Sequence, residues 1–263
     1  MFFLRLAGTL TCLMLLAACS LLSSSQDEPQ GYDPATIANP AWVPPPVSQL
    51  PYGSRIGIMT AVDNELAVVH TGTGGSGNYS RPTKPNFDLP GYITESLRKR
   101  MLASLPYAPV LVRPSTRLMR EKTSWQDSWS RATQSFGNGW QQEFDAVMKQ
   151  NRLSMLIVIS PYDMDDGIAG TRQRIMGSGL YNRSFLSQKQ NAVFSTLRFH
   201  RIVGTPGKLQ DPVVIPGERL YGDLQNFPAT LPSPLSAPLQ NSLELAVKNI
   251  VDQKTTMLVQ AMK

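Results

Sequence analysis

The chain has 263 residues, of which 41% are apolar and 17% are charged, and lysine and arginine outnumber aspartate and glutamate by 25 to 19. A chain of this length can bury the core of one sizeable domain, and its net charge of +6 is only mildly basic. Two histidines and two cysteines, without an H-E-x-x-H or a G-x-S-x-G motif, argue against zinc hydrolases and against serine or cysteine triad enzymes.

Residues 1–18 have the layout of a secretory signal peptide. Arg5 supplies a positive charge, an apolar stretch follows as far as Leu16, and small residues stand at Ala17 and Ala18. This stretch is too short, and too closely followed by polar sequence, to be a membrane-spanning helix. Its removal leaves 24 basic and 19 acidic residues, a net charge of +5.

The segment Leu16-Ala17-Ala18-Cys19 resembles the lipobox of bacterial lipoproteins. The resemblance implies cleavage before Cys19 and lipidation of that cysteine with acyl chains such as palmitate, which would insert into the lipid bilayer. Ser20 stands where an aspartate commonly marks inner-membrane retention, so the resemblance favours the periplasmic side of the outer membrane. The alternative is an ordinary signal peptide with a cysteine by chance near its cleavage site.

Residues 19–50 are predicted to form a lipidated amino terminus and a flexible tether, and residues 51–263 a single globular domain. The tether is rich in serine and proline and has few apolar residues in periodic order, so it buries too little surface to offset chain entropy. Docking of Trp42 and Val43 on the domain is left open by the sequence.

The first half of the domain is predicted to contain a hairpin, a helix and a short strand. Residues 55–62 and 65–71 have the composition of two strands, with a turn at Asp63-Asn64. Apolar residues then recur at helical spacing from Ile93 to Leu105, and residues 110–112 follow as a strand.

The second half is predicted to contain two helices and three strands. Apolar residues recur at helical spacing from Trp140 to Met148 and again from Leu239 to Leu258. Residues 155–159 predict a strand buried on both faces, whereas the alternating run 193–203 predicts one half-exposed antiparallel strand. A short strand at 212–216 completes an α/β (α+β) fold, in which a mixed sheet has helices packed on it.

The segment GTGGSG at 72–77 matches the dinucleotide-binding pattern G-x-G-x-x-G. That site requires a helix after the third glycine, and Pro82 and Pro85 are incompatible with such a helix. We therefore expect no cofactor at this segment. Residues 72–90 are instead predicted to form a mobile loop, available to a partner and dispensable for folding.

The segment from Asp163 to Gly167 has acidic residues in a pattern reminiscent of a calcium loop. An EF-hand needs glycine at the sixth position and a carboxylate at the twelfth, but the glycine comes one residue early and the twelfth residue is Arg174. A tight turn is the favoured interpretation, and no metal site is expected. His70 and His200 each lie in a predicted strand, far apart in the sequence.

Three tryptophans stand close together at Trp125, Trp129 and Trp140, among polar and glycine residues. Aromatic residues with a polar rim are typical of surfaces that bind a protein or a sugar, so these three are candidate partner-binding residues. The alternative is that they pack on the core of the domain. Arg98-Lys99-Arg100 is interpreted as a solvated helix face, with contact to membrane or cell wall as its alternative.

The order of predicted elements is similar to that of periplasmic lipoprotein domains of the curli-secretion and TolB N-terminal type. The segment Phe144 to Ser160, a helix leading into a buried strand, carries most of this resemblance. The resemblance implies an architecture and brings no catalytic residues with it.

The leading functional hypothesis is a non-enzymatic lipoprotein that assists assembly, secretion or a binding partner in the cell envelope. Its expected partners are the lipid bilayer, reached through the acyl chains of Cys19, and an envelope protein or a cell-wall polymer. Nucleic acid is not expected in that compartment. The alternatives are an anchored enzyme acting on cell wall or polysaccharide through paired carboxylates, and a subunit of an oligomeric outer-membrane pore.

Overall fold

Two β-sheets and two long helices share one core in this protein. The computed structural model describes residues 50–72, 77–130, 132–165, 173–185, 188–204, 206–213 and 231–263. Within these residues no helix is both long enough and apolar enough to cross a bilayer.

The main sheet has five strands in the order β13-β12-β7-β1-β4. Its strands are β1 (Arg55–Thr60), β4 (Ala108–Val112), β7 (Met155–Pro161), β12 (Leu197–Val203) and β13 (Lys208–Val213). Strands β4, β1 and β7 are parallel, while β12 and β13 run antiparallel to their neighbours. All seven residues of β7 are buried, as expected for a strand covered on both faces.

The second sheet has four strands in the order β11-β10-β2-β3. Its strands are β2 (Leu66–Thr71), β3 (Tyr79–Thr83), β10 (Ser178–Phe185) and β11 (Gln188–Ser195). β2 and β10 are parallel, and each forms an antiparallel pair with its outer neighbour. Two small hairpins pair β5 (Trp129–Ser130) with β6 (Ser135–Phe136) and β8 (Met164–Asp165) with β9 (Arg174–Ile175).

The helices are α1 (Leu89–Ser104), α2 (Thr116–Arg120), α3 (Ser124–Asp127), α4 (Trp140–Asn151) and α5 (Ala237–Gln260). Helix α1 begins where the Asp88 carboxylate accepts a hydrogen bond from Gly91 N at 3.1 Å. Helix α4 lies between Gly139 and Arg152, which both have left-handed backbone.

One core joins both sheets to α1 and α5. It contains apolar residues from every one of these elements, including Ile58, Ile157, Val68, Leu180, Leu97 and Val251. Helix α4 and the tryptophan-rich segment cover the opposite face of the main sheet. The prediction of an α/β fold, with helices packed on mixed β-structure, is therefore confirmed.

The predicted hairpin of residues 55–71 is wrong, because β1 lies in the main sheet and β2 in the second sheet. The chain leaves the main sheet after Thr60. Asn64, expected in a tight turn, accepts a hydrogen bond through its side-chain oxygen from Leu89 N at 2.9 Å, at the start of α1. The hairpin partner of β2 is β3.

The prediction of a mobile, dispensable loop at 72–90 is also wrong. β3 pairs with β2 along its whole length, and Leu89 is fully buried at the start of α1. Deleting residues 72–90 would therefore remove an edge strand and part of the core. Residues 73–76 of the glycine-rich segment lie outside the described residues.

The single half-exposed strand predicted for 193–203 is in fact two strands in two sheets. β11 ends at Ser195 in the second sheet, and β12 begins at Leu197 in the main sheet. The prediction of half-exposure also fails, since His200 and Arg201 are 2% and 1% exposed. For the strand predicted at 212–216, the structure shows β13 ending at Val213, and residues 214–216 lie outside the described residues.

Candidate functional site

The three parallel strands of the main sheet create a topological switch point. Their chain order is β1, β4, β7, yet β1 lies between the other two, so the chain runs from β1 to β4 on one side and then back past β1 to β7 on the other. In open α/β sheets, ligands bind beside such a point, at the carboxyl ends of the strands. Here this position lies between the ends of β1 and β7, at Thr60 and Ser160.

The polar groups at this switch point are paired within the chain. Thr60 Oγ1 and Thr94 Oγ1 are hydrogen-bonded at 2.8 Å, and Gln126 Nε2 donates to Ser160 Oγ at 2.8 Å. Lys122 and Asp63 form an ion pair nearby. A ligand at this edge would have to replace these contacts.

Trp125 and His200 form a buried pair next to the switch point. Their rings meet edge to face with centroids 4.8 Å apart, and Trp125 is fully buried. In the described structure, both ring nitrogens of His200 and the indole nitrogen of Trp125 lack a hydrogen-bond partner. Burial, followed by the nearby Arg198 guanidinium, lowers the pKa of His200 to about 3. A base with so low a pKa is poorly matched to proton transfer at neutral pH.

The three predicted partner-binding tryptophans belong to the core that covers the outer face of the main sheet. Trp125 and Trp140 are 0% and 1% exposed, and Trp129 is half-buried against Phe136 with ring centroids 4.8 Å apart. Side chains that are fully buried present no contact surface to a partner. The partner-binding prediction for Trp125 and Trp140 is therefore corrected in favour of core packing, while Trp129 keeps a partly exposed ring.

The two histidines do not meet. His70 lies in the second sheet, where Nδ1 and Asn182 Oδ1 are 2.5 Å apart and Asn182 Nδ2 donates to Asn191 Oδ1 at 2.6 Å. The His70 ring also stacks on Tyr79, with centroids 5.2 Å apart. This polar row across four strands was missed from the sequence because β3 and β10 were not predicted.

A second polar cluster missed from the sequence joins α1 to α5. The Asp252 carboxylate accepts hydrogen bonds from Ser96 Oγ at 2.7 Å and from the Tyr92 hydroxyl at 3.0 Å, and it lies 3.3 Å from Arg100 Nη2. Burial, followed by the hydrogen bond to Asp252, raises the pKa of Tyr92 to about 12. Since His70 and His200 both lie elsewhere, this serine and carboxylate hold the two helices together without forming a triad.

Replacing Asp252 with asparagine is expected to lower the free energy of unfolding by about 1 kcal/mol, because an amide supplies one acceptor oxygen where three donors converge. Urea denaturation at neutral pH measures this loss. Glu95→Gln is the matched control, since it removes the surface pair with Arg98 and should change stability by less than about 0.5 kcal/mol. Equal losses in the two variants would contradict the proposed linkage between α1 and α5.

The basic cluster Arg98-Lys99-Arg100 is largely satisfied within the chain. Arg98 pairs with Glu95 at 2.9 Å, and Arg100 donates to Ser96 Oγ and to Thr256 Oγ1, both at 2.7 Å. Lys99 is the exposed member of the cluster. These ion pairs and hydrogen bonds fit the interpretation of a helix face better than a site for an anionic partner.

The lipobox and the acidic segment lie wholly or partly outside the described residues. Cys19 and the rest of the lipobox lie outside the described residues, as do residues 166–172 of the acidic segment. Arg174 pairs with Asp163 at 3.0 Å, so the position where an EF-hand has a carboxylate holds a cation. Among the residues that the structure describes, no group of three metal-binding side chains converges.

Comparison of the chain with protein-family models, with curated proteins and with solved structures gave no match. Function must therefore be argued from the residues of this chain.

Proposed function

We propose that this protein is a lipoprotein anchored through Cys19 at the periplasmic side of the outer membrane, where it assists a partner without catalysing a reaction. The observation that carries the proposal is the segment Leu16-Ala17-Ala18-Cys19, followed by a polar tether and a folded body. Two or more acyl chains on one residue provide a stable membrane anchor, because each buried methylene contributes about 0.8 kcal/mol.

The arrangement of the body supports a binding role more than a catalytic one. Ligands of open α/β sheets bind at the switch point. Here the Thr60 hydroxyl is hydrogen-bonded to Thr94, and the Ser160 hydroxyl accepts a hydrogen bond from Gln126. His200, the histidine nearest to this point, has its pKa lowered to about 3. A partner would therefore bind to the outside of the domain.

Replacing Cys19 with alanine is expected to abolish acylation and to move the protein from the membrane fraction to the soluble fraction, because the thiol that carries the acyl chains is lost. Cys12→Ala is the matched control, since Cys12 is the other cysteine of the chain and lies within the predicted signal peptide. Cell fractionation and the intact mass of the mature protein measure the outcome. Acylation and membrane retention of the Cys19→Ala variant would refute the anchor.

The partner can be sought by photocrosslinking in cells. Leu102, Leu111 and Leu245 are 56%, 49% and 63% exposed, and such apolar side chains are where interface anchors are found. A photoreactive residue is placed at each of these leucine sites and, as a control, at exposed Asn249. We expect a discrete adduct with an envelope protein at one of the leucine sites and none at Asn249. Recovery of lipid and self-adducts alone would count against a role in assembly.

A further inference from the structure

Basic side chains gather at the amino edge of the main sheet, which is the edge where β1, β4 and β7 begin. Arg55 opens β1, and Ser154 N donates to Arg55 O at 2.9 Å, so the start of β7 lies beside it. Lys208 opens β13 and is opposite Val203, which in turn is opposite Met155 at the start of β7. Both basic side chains are exposed.

The end of α4 brings two more cations to the same edge. Arg55 Nε donates to Asn151 O at 3.0 Å, which places the last turn of α4 against the start of β1. Lys149 and Arg152, on either side of this contact, are both exposed. The amino edge therefore presents four exposed basic side chains: Arg55, Lys149, Arg152 and Lys208.

The opposite edge carries Arg113, Arg120 and Lys122 after β4, together with acidic side chains. Those that follow the carboxyl ends of the parallel strands, or lie in the helices that begin there, are Asp63, Asp88, Asp127, Glu143 and Asp163. Close to the amino edge lies the half-buried carboxylate of Asp145, which accepts hydrogen bonds from Gly207 N at 2.6 Å and from Gln141 Nε2 at 3.1 Å. The amino edge thus presents four exposed cations beside one half-buried carboxylate, whereas the opposite edge carries charges of both signs.

The tether joins the body at this same edge. Gly53 N donates to Pro106 O and Ala108 N donates to Ser54 O, so the chain from Leu50 to Ser54 runs beside the start of β4. Tyr52 in this turn is 90% exposed. An anchor at Cys19 would therefore be joined to the body at the amino edge.

We infer that the amino edge is a membrane-contact surface that binds anionic phospholipid headgroups. Anionic headgroups attract clustered lysine and arginine, and tyrosine is favoured at the boundary between water and lipid. The inference rests on the proposed membrane anchoring for its orientation. Its chemistry depends only on the charges and on Tyr52.

The test uses the mature chain, residues 19–263, with Cys19→Ser so that no lipid is attached. Co-sedimentation should show at least tenfold stronger partitioning onto vesicles of phosphatidylcholine with phosphatidylglycerol than onto phosphatidylcholine alone. Added salt should weaken this binding, because the charges are exposed and screened. Equal binding to the two kinds of vesicle, or none to either, would overturn the inference and leave the Cys19 anchor unaffected.

A matched pair of triple variants distinguishes a local patch from overall charge. Lys149→Gln/Arg152→Gln/Lys208→Gln should reduce anionic partitioning at least tenfold, since each basic residue at such a surface contributes about fivefold. Arg55 is kept because its guanidinium caps α4. Lys84→Gln/Arg113→Gln/Arg120→Gln removes the same charge from exposed sites elsewhere and should change partitioning by less than about threefold. Equal reductions in the two triple variants would overturn the assignment to the amino edge.

Discussion

Replacing Gly179 with alanine is expected to destabilise the protein by about 3 kcal/mol or more, or to prevent folding. A Cβ at this position would lie 1.9 Å from Ala67 O and 2.7 Å from Ala67 N. These are backbone atoms of β2, so no side-chain rotation relieves the clash. Because β2 and β10 form the centre of the second sheet, separating them would break the parallel ladder on which β3 and β11 depend.

Gly137→Ala is the control for this substitution. The nearest atom to a Cβ at Gly137 is Ser128 O at 3.5 Å, which is an ordinary contact. The midpoint of urea unfolding should therefore stay close to that of the parent protein, whereas Gly179→Ala should unfold at much lower urea or accumulate as insoluble protein. A parent-like midpoint for Gly179→Ala would show that β2 and β10 are not packed this closely.

Acidification from pH 7 to pH 5 is expected to remove about 2 kcal/mol of stability through His200 alone. The pKa of His200 is about 3 in the folded protein and about 6.5 in an unfolded chain. Between these values the unfolded state binds the extra proton. The contribution is therefore fully present above pH 6.5 and is lost progressively as the pH falls toward 3.

Urea denaturation across this pH range measures the effect, and the chain suits the test because it has only two histidines. His200→Leu should flatten the dependence of stability on pH, since leucine cannot be protonated against Trp125 and Arg198. Gly137→Ala, which leaves both histidines in place, should keep the parent slope. A His200→Leu variant that retains the parent slope would contradict the assignment.

The elements that the sequence predicts best are those whose burial is decided locally. Residues 155–159 are continuously apolar and form most of β7, and the helical spacing of Ile93, Leu97 and Met101 places all three in the core from α1. The spacing of apolar residues in these segments is enough to indicate a strand or a helix, so the prediction does not depend on which element packs against it.

The errors arise where the alternation of apolar and polar residues continues along the chain but the neighbouring strand belongs to another sheet. The alternation from Val193 to Val203 is real, because Val193, Leu197 and Phe199 line one core. Thr196, however, is where the chain passes from one sheet to the other. Thr196 N donates to Gly177 O, and Tyr162 N donates to Thr196 O. These contacts join segments distant in sequence, and local composition does not encode them.

The tryptophan-rich segment illustrates the same limit for the candidate site. Its composition identifies large aromatic rings in a polar setting but does not say what covers them. The structure covers Trp125 with Phe136, Phe144 and His200, at centroid distances of 5.9, 5.3 and 4.8 Å. The amino-edge cations were likewise not grouped from the sequence, because Arg55, Arg152 and Lys208 meet only through the sheet.

The parallel pairings of β1 and β2 also govern the order in which the protein can fold. Ile56 pairs with Met155, which is 155 − 56 = 99 residues later, and Ala67 pairs with Gly179, which is 179 − 67 = 112 residues later. Closing loops of this length before any contact forms is entropically costly and slows folding. β1 can pair with β4, and β2 with β3, at an earlier stage, but their other edges stay unpaired until β7 and β10 have been made. A protein exported amino terminus first would spend that interval exposed to aggregation and to capture by chaperones.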